Sequence, residues 1–330
     1  MRTGFFAGWT NVNLANPQPM KTRFRLLPTL SMIALLVFIT GGRTQAANAE
    51  RREHKELPVA KAGTLTFKAM VGSIEIRTAN QEQVTFDSVI KRGGWGLSLP
   101  SDLIELVEFH YETSGADAKI EVKWKANRGP RFSNLNVRHT LIVPTHYNVD
   151  VSTAGGSIQS DNIGGNVVAA TSGGRIQLSK VGGQVKARTS GGSIALEKAL
   201  GDADLRTSGG SIKVGLVDGR VNASTSGGSI SVEGAKGNLR ARTSGGSVSA
   251  SVASQINSPL ELSTSGGSIR LTVPSDFRAD LDASTSGGGV SCDLPVDGSV
   301  KRNFIRGKLN GGGPQVTLRT SGGSVRVSTH

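Results

Sequence analysis

The chain has 330 residues, 44 of them glycine, with 5% aromatics, a single cysteine and a formal net charge of +13. One cysteine excludes a disulfide framework. So few large side chains argue against a thick core and suit a narrow interior of Val, Ile, Leu and Ala. Residues 1–49 hold five basic residues and no acid, so the remainder carries 33 basic against 25 acidic residues, a moderate excess that favours anionic partners.

In chain order, Lys21, Arg23 and Arg25 precede an apolar run from Leu26 to Thr40 that contains Pro28. Ala47-Asn48-Ala49 is a small-x-small cleavage site, and Thr44-Gln45-Ala46 is a second candidate. This is the pattern of an export signal, with Met20 as the expected start and residues 1–19 as an upstream extension. The run is shorter than the roughly 20 residues of a membrane span. Left uncleaved, it reads as an N-terminal membrane anchor instead. No cysteine stands directly after it, so a lipoprotein is not expected. The expected location is the periplasm, the cell surface or the medium.

Residues 50–63 are a polar lead-in. Val71-Gly72-Ser73-Ile74-Glu75-Ile76 then alternates apolar and polar residues as a half-buried strand does. Residues 83–150 keep that alternation with larger side chains: Val84 and Phe86; Val107, Phe109 and Tyr111; Ile120, Val122 and Trp124; Leu135, Val137, His139, Leu141 and Val143. They read as wider coils capping one end of a stack, and Leu103–Phe109 is expected as a short helix. Two loops, Arg92-Gly93-Gly94-Trp95-Gly96 and Asn127-Arg128-Gly129-Pro130-Arg131, combine arginine with glycine. They are either ligand-contact loops or linkers between long strands.

From Thr153 onward a short motif, Thr-Ser-Gly-Gly-Ser-Ile in its most regular form, recurs. The first glycine of each pair falls at Gly155, Gly173, Gly191, Gly209, Gly227, Gly245, Gly266, Gly287 and Gly322, giving five successive spacings of 18 residues and then 21, 21 and 35. A constant short period marks a repeat architecture. Apolar residues stand three and five places after that glycine, as in Ile194 and Leu196; Ser160 breaks the pattern in the first copy. Small or apolar residues also stand four and two places before the threonine, as in Val185 and Ala187. Residues two apart share one face of a strand, so each period reads as strand, corner, strand, corner. The glycine pairs are expected to supply positive φ and close backbone approach at the corners.

An up-and-down meander and a solenoid both satisfy this grammar. Only a solenoid, whose equivalent positions stack about 4.8 Å apart, requires a constant coil length. The expected fold is therefore all-β: a single-stranded parallel β-solenoid of about 18 residues per coil. Residues 50–150 form its cap and residues 151–330 the regular repeats. By phase, each Thr points inward, where its hydroxyl serves corner backbone groups rather than a flat ice-binding array. Cys292 occupies an inward position and reads as core rather than as a reactive thiol.

Three segments carry a resemblance. They are Leu141-Ile142-Val143-Pro144, the run from Val149 through Thr153-Ala154-Gly155-Gly156-Ser157-Ile158 into the TSGG copies, and Asn310-Gly311-Gly312-Gly313-Pro314 before Thr320-Ser321-Gly322-Gly323. Together they resemble the bacterial “putative adhesin” family, β-strand-repeat proteins of unknown function. The resemblance spans about residues 60–330 as one continuous domain. It implies a right-handed β-helix on an exported or envelope-associated protein, and it brings no catalytic residues.

Motifs for phosphate-binding loops, zinc proteases, serine hydrolases and redox dithiols are absent from the sequence. Nothing in it calls for a cofactor. The five histidines are scattered, and only His139 and His146 are close enough in sequence to suggest a metal pair. Asp280 and Asp282 are the one pairing of outward acids, short of the acid–base arrangement of a glycosidase. The strongest functional signal is an outward row of basic residues: Arg188, Arg206, Arg242 and Arg319 just before a threonine, and Lys186 and Arg240 two places earlier, interrupted by Asp204 and Asn222. Stacked on one face, they would form a stripe for an anionic polymer, or simply a solvated face. The reading is a non-enzymatic envelope or surface binding module whose partner is an anionic polysaccharide, with no specific nucleic acid. The alternative is an envelope-stress sensory scaffold working with a membrane protein.

Overall fold

A computed structural model describes residues 50–92, 101–125 and 135–330. The expected export signal in residues 1–49 and the two arginine–glycine loops, beyond the backbone of Arg92, lie outside them.

The described chain is all-β apart from one 3₁₀ turn, Ser101–Leu106. Its strands form a 13-stranded and a 14-stranded sheet, here the first and second sheets. Each repeat gives one strand to each sheet. In the first sheet, Ile158, Ile176, Ile194, Ile212, Ile230 and Val248 are successive parallel partners. In the second, Val149, Val167, Val185, Ala203, Val221 and Leu239 are. Neighbours within both series lie 18 residues apart. Side chains alternate strictly, as in Val185–Arg188, where Val185 and Ala187 are buried and Lys186 and Arg188 exposed. The inward residues of both sheets meet in one continuous aliphatic core. Ser160 keeps the inward phase and is buried.

The repeated threonines close the corners from inside. Thr225 is buried; its hydroxyl donates to the Gly210 carbonyl at 2.8 Å and accepts from Gly228 N–H at 3.4 Å. The same pair of bonds recurs at Thr171, Thr189, Thr207, Thr264, Thr285 and Thr320. Thr225→Val keeps the shape and orphans two buried backbone groups. It is expected to cost about 1–3 kcal/mol, read as a lower urea midpoint at unchanged slope. An unchanged midpoint would show that the hydroxyl is dispensable.

The glycine expectation needs correction. Positive φ occurs at Gly72, Gly115, Gly298, Gly311, Gly312 and Asn310, and at none of the TSGG corners. What those corners require is close approach, far tighter at the second glycine of each pair than at the first. A Cβ on Gly210 would lie 2.0 Å from the Gly192 carbonyl oxygen, whereas one on Gly209 would meet nothing nearer than 3.4 Å.

At both ends of the described chain, strand order departs from chain order. The strands Thr64–Ala69 and Ser73–Ala79 sit between the coil starting at Asn148 and the strands Asp117–Trp124 and Leu135–Pro144. At the other end, Gln315–Thr320 and Val325–Thr329 slot between Leu260–Thr264 and Ile269–Val273 on one side and Ala279–Thr285 and Val290–Cys292 on the other. Asp117–Trp124 and Leu135–Pro144 stack in parallel as one more coil. Gln83–Arg92 and Val107–Ser114, expected as wide coils, pair antiparallel instead, and Glu50–Pro58, expected as a polar lead-in, is a strand antiparallel to Gln83–Arg92. Within the longest interval between glycine pairs, Val296–Lys301 and Phe304–Leu309 form an antiparallel hairpin that extends the second sheet. The short helix expected at Leu103–Phe109 is found in part: its first four residues fall in the 3₁₀ turn, which gives way to a strand at Val107, because Val107, Phe109 and Tyr111 alternate at strand period. Phe109 and Tyr111 stack side by side and both reach Phe86. Cys292 is half-buried, since its strand ends the first sheet with a neighbour on one side only, and burial raises its thiol pKa.

Candidate functional site

The regular strands of the second sheet turn every other side chain to solvent, so register decides which charges stack. One outward ladder runs Lys186, Asp204, Asn222, Arg240, Glu261, Thr317, Asp282. The next runs Arg188, Arg206, Ser224, Arg242, Ser263, Arg319, Ser284. All six basic residues singled out in the sequence therefore lie on one sheet, in two adjacent rows. At about 4.8 Å per strand, Arg188 to Arg319 spans roughly 24 Å.

The carboxylates of the first ladder were missed as partners. Asp204 takes Arg206 at 3.0 Å and Arg188 at 3.7 Å. Glu261 takes Arg240 at 2.9 Å and also Arg242. Asp282 takes Arg319 at 3.3 Å and Arg306, from the hairpin, at 3.4 Å. Each acid is straddled by two guanidinium groups, and each trio keeps one net positive charge. Aligning the repeats reveals the signal, since all three acids occupy the phase of Lys186 and Arg240. Asn222 steadies Asp204 through a 3.1 Å bond from its amide. Lys186 makes no ion pair among the described residues. Partial burial pushes the Glu261 carboxyl up, but Arg242 and then Arg240 outweigh it, leaving it below its ordinary range.

The trios are layered. Side chains of the three acids are 18–28% exposed, whereas their arginines are 50–70% exposed. The carboxylates hold the inner edges of guanidinium groups whose outer edges face water. Exposed pairs of this kind contribute about 0–1 kcal/mol each, so they are not what holds the fold. Beside them Lys186, Asp202, Asp204, Arg220, Asn222 and Arg240 line a groove of about 690 Å³. Asp202 is held below its usual pKa by the backbone N–H of Arg220 and then by its guanidinium.

A family model described as Toastrack DUF4097 matches residues 57–328. The chain belongs to the Toastrack DUF4097 family. No curated protein matches this Toastrack chain. Among solved structures, it is similar to a “putative adhesin” from Parabacteroides merdae, at 10% identity over 85% of this chain and 96% of that one, with a TM-score of 0.45. A “putative adhesin” from Bacteroides fragilis aligns at 10% identity over 86% and 97%, with a TM-score of 0.40. A “putative lipid binding protein” from Parabacteroides distasonis aligns at 14% identity over 84% and 96%, with a TM-score of 0.38.

The remaining sequence candidates separate in the Toastrack fold. His139 is buried against Phe67 and Phe86, its Nε2 3.0 Å from the Val71 carbonyl, while its Nδ1 has no partner. His146 is exposed on the turn after Pro144, so the suggested metal pair does not form. Among the described residues, no cluster of three or more His, Cys, Asp or Glu could hold a metal ion, and no helix is long and apolar enough to cross a membrane. Asp282 is committed to two arginines, and one oxygen of Asp280 is buried without a partner.

Proposed function

We propose that this chain is a non-enzymatic binding module of the cell envelope, exported by the signal in residues 1–49, which holds anionic polymers along the basic face of its second sheet. We read the strands from Asn148 to Val273, which stack in chain order, as one continuous right-handed coil of about 18 residues per turn, which gives this part of the face its regular pitch. The observation that carries this reading is the double ladder itself. Lys186, Arg188, Arg206, Arg240, Arg242 and Arg319 stand outward in two adjacent rows on four strands of one sheet, with the strands of Asn222 and Glu261 between them. Such an array suits a repeating polyanion, bound through many weak contacts.

Retention of the full chain on an acidic polysaccharide is expected to be salt-sensitive. Replacing Arg188, Arg206, Arg240 and Arg242 together by Ser should weaken it by roughly tenfold or more and flatten its dependence on salt. Unchanged retention would remove the basic face from the binding site. No retention of the unmodified chain on any polymer would favour a sensory scaffold with a membrane-protein partner.

A further inference from the structure

We infer that Asp204, Glu261 and Asp282 set the specificity of the basic face: it accepts polysaccharides esterified with sulfate or phosphate and rejects those charged by carboxylates alone. The inference rests on the binding reading above. Its own observation is that all three acids share one arrangement, each lying between two arginines and less exposed than either.

The tethered carboxylates act as built-in competitors. Each is held next to its arginines at a high effective concentration and already occupies their inner edges. Every incoming anion meets the repulsion of the resident acid, but a carboxylate on a polymer also offers those arginines only the same two-oxygen group they already hold. A sulfate or phosphate ester carries three terminal oxygens, enough to engage the outer edges of both guanidinium groups at once without displacing the acid. Two trios draw both arginines from this sheet's ladders: Arg188 with Arg206 from neighbouring strands, and Arg240 with Arg242 from a single strand. Asp282 combines Arg319 with Arg306 of the hairpin. The face thereby offers sites to a polymer that bears esters at intervals along its length. Because each acid cancels one of two charges, an isolated anion is held weakly and only a multiply charged chain accumulates enough contacts.

The test measures binding of the full chain to dextran sulfate, a phosphomannan and polygalacturonate at matched charge density. The sulfated and phosphorylated arms show which ester the face takes. Unmodified protein is expected to bind at least one ester polymer about tenfold more tightly than polygalacturonate. The variant D204N/E261Q/D282N should gain about tenfold for polygalacturonate and less than about threefold for the ester polymer, so that the preference collapses. A control with the same change in net charge, E197Q/D218N/E233Q, removes acids outside the two ladders and should keep the preference. Thermal melting of each variant verifies folding. A preference unchanged in D204N/E261Q/D282N, equally lost in the control, or absent from the unmodified protein overturns this inference while leaving the basic face as a binding site. No binding to any of the three overturns both.

Discussion

Gly192→Ala is expected to destabilise the chain severely, while Gly191→Ala, one position earlier, leaves it close to the parent. A Cβ on Gly192 would lie 1.9 Å from the Gly174 carbonyl oxygen, 2.4 Å from its carbon and 2.9 Å from the nitrogen of Arg175. All three are backbone atoms of the neighbouring coil, and they have little room to move, because the Gly174 carbonyl also accepts the Thr189 hydroxyl at 3.0 Å. Relief requires prising two coils apart in the middle of the stack, at an expected cost of about 3 kcal/mol or more. On Gly191 the nearest atom to the new methyl is the Gly173 oxygen at 3.7 Å, an ordinary contact on an ordinary backbone. Urea unfolding of the two variants beside the parent decides the matter: equal midpoints for both would show that coil spacing adjusts freely.

Acid should weaken the N-terminal core through one residue. Burial holds His139 neutral, its pKa lowered from 6.5 to about 4, with the Val71 carbonyl opposing only in part. The unfolded chain therefore takes up this proton near pH 6.5 while the folded chain resists it until about pH 4. Stability falls as pH drops through that interval, by about 1.4 kcal/mol per unit and about 3 kcal/mol in total, and the loss is complete below it. His54, raised by its contact with Asp87, runs in the opposite sense, but it is fully solvated. His139→Phe places a neutral ring between Phe67 and Phe86 and removes the titration. Its urea midpoint should then change little between pH 7 and pH 4.5, whatever its absolute stability. An equally steep acid loss in the variant would assign the effect elsewhere.

Much of this architecture is written in short-range pattern. Ile194 and Leu196 announce an inward face by spacing alone, and an 18-residue period requires no tertiary knowledge to notice. The inward phase of Thr225 follows from the same alternation. Other features depend on contacts between distant segments. Nothing local distinguishes Val325–Thr329, which enters the stack between two earlier strands, from a strand added at the end. The antiparallel turn of Gln83–Arg92 is invisible to a period-two pattern, which reads identically in either direction. The two glycines of a corner look alike in sequence, yet the second sits far closer to the adjacent backbone than the first. At the basic face the cations were legible because they recur before the threonine. Their partners were not, because Asp204 and Glu261 appear once each and acquire meaning only when register sets them beside arginines. The cost of burying His139 was equally hidden: its inward phase was plain, but not the enclosing aromatic rings.

The slotted ends bear on how such a chain responds to force. In a simple stack the last coil has a single neighbour, and tension on it peels one ladder at a time, like opening a zipper. Here the strand Val325–Thr329 is flanked by Ile269–Val273 and by Val290–Cys292. A pull on His330 must draw that strand out from between two ladders that resist together. Thr64–Ala69 is gripped in the same way near the other end. Force entering through Val325–Thr329 would thus be met by cooperative rupture rather than by gradual unravelling, whereas Glu50–Pro58, at the edge of the first sheet with one neighbour, is free to peel.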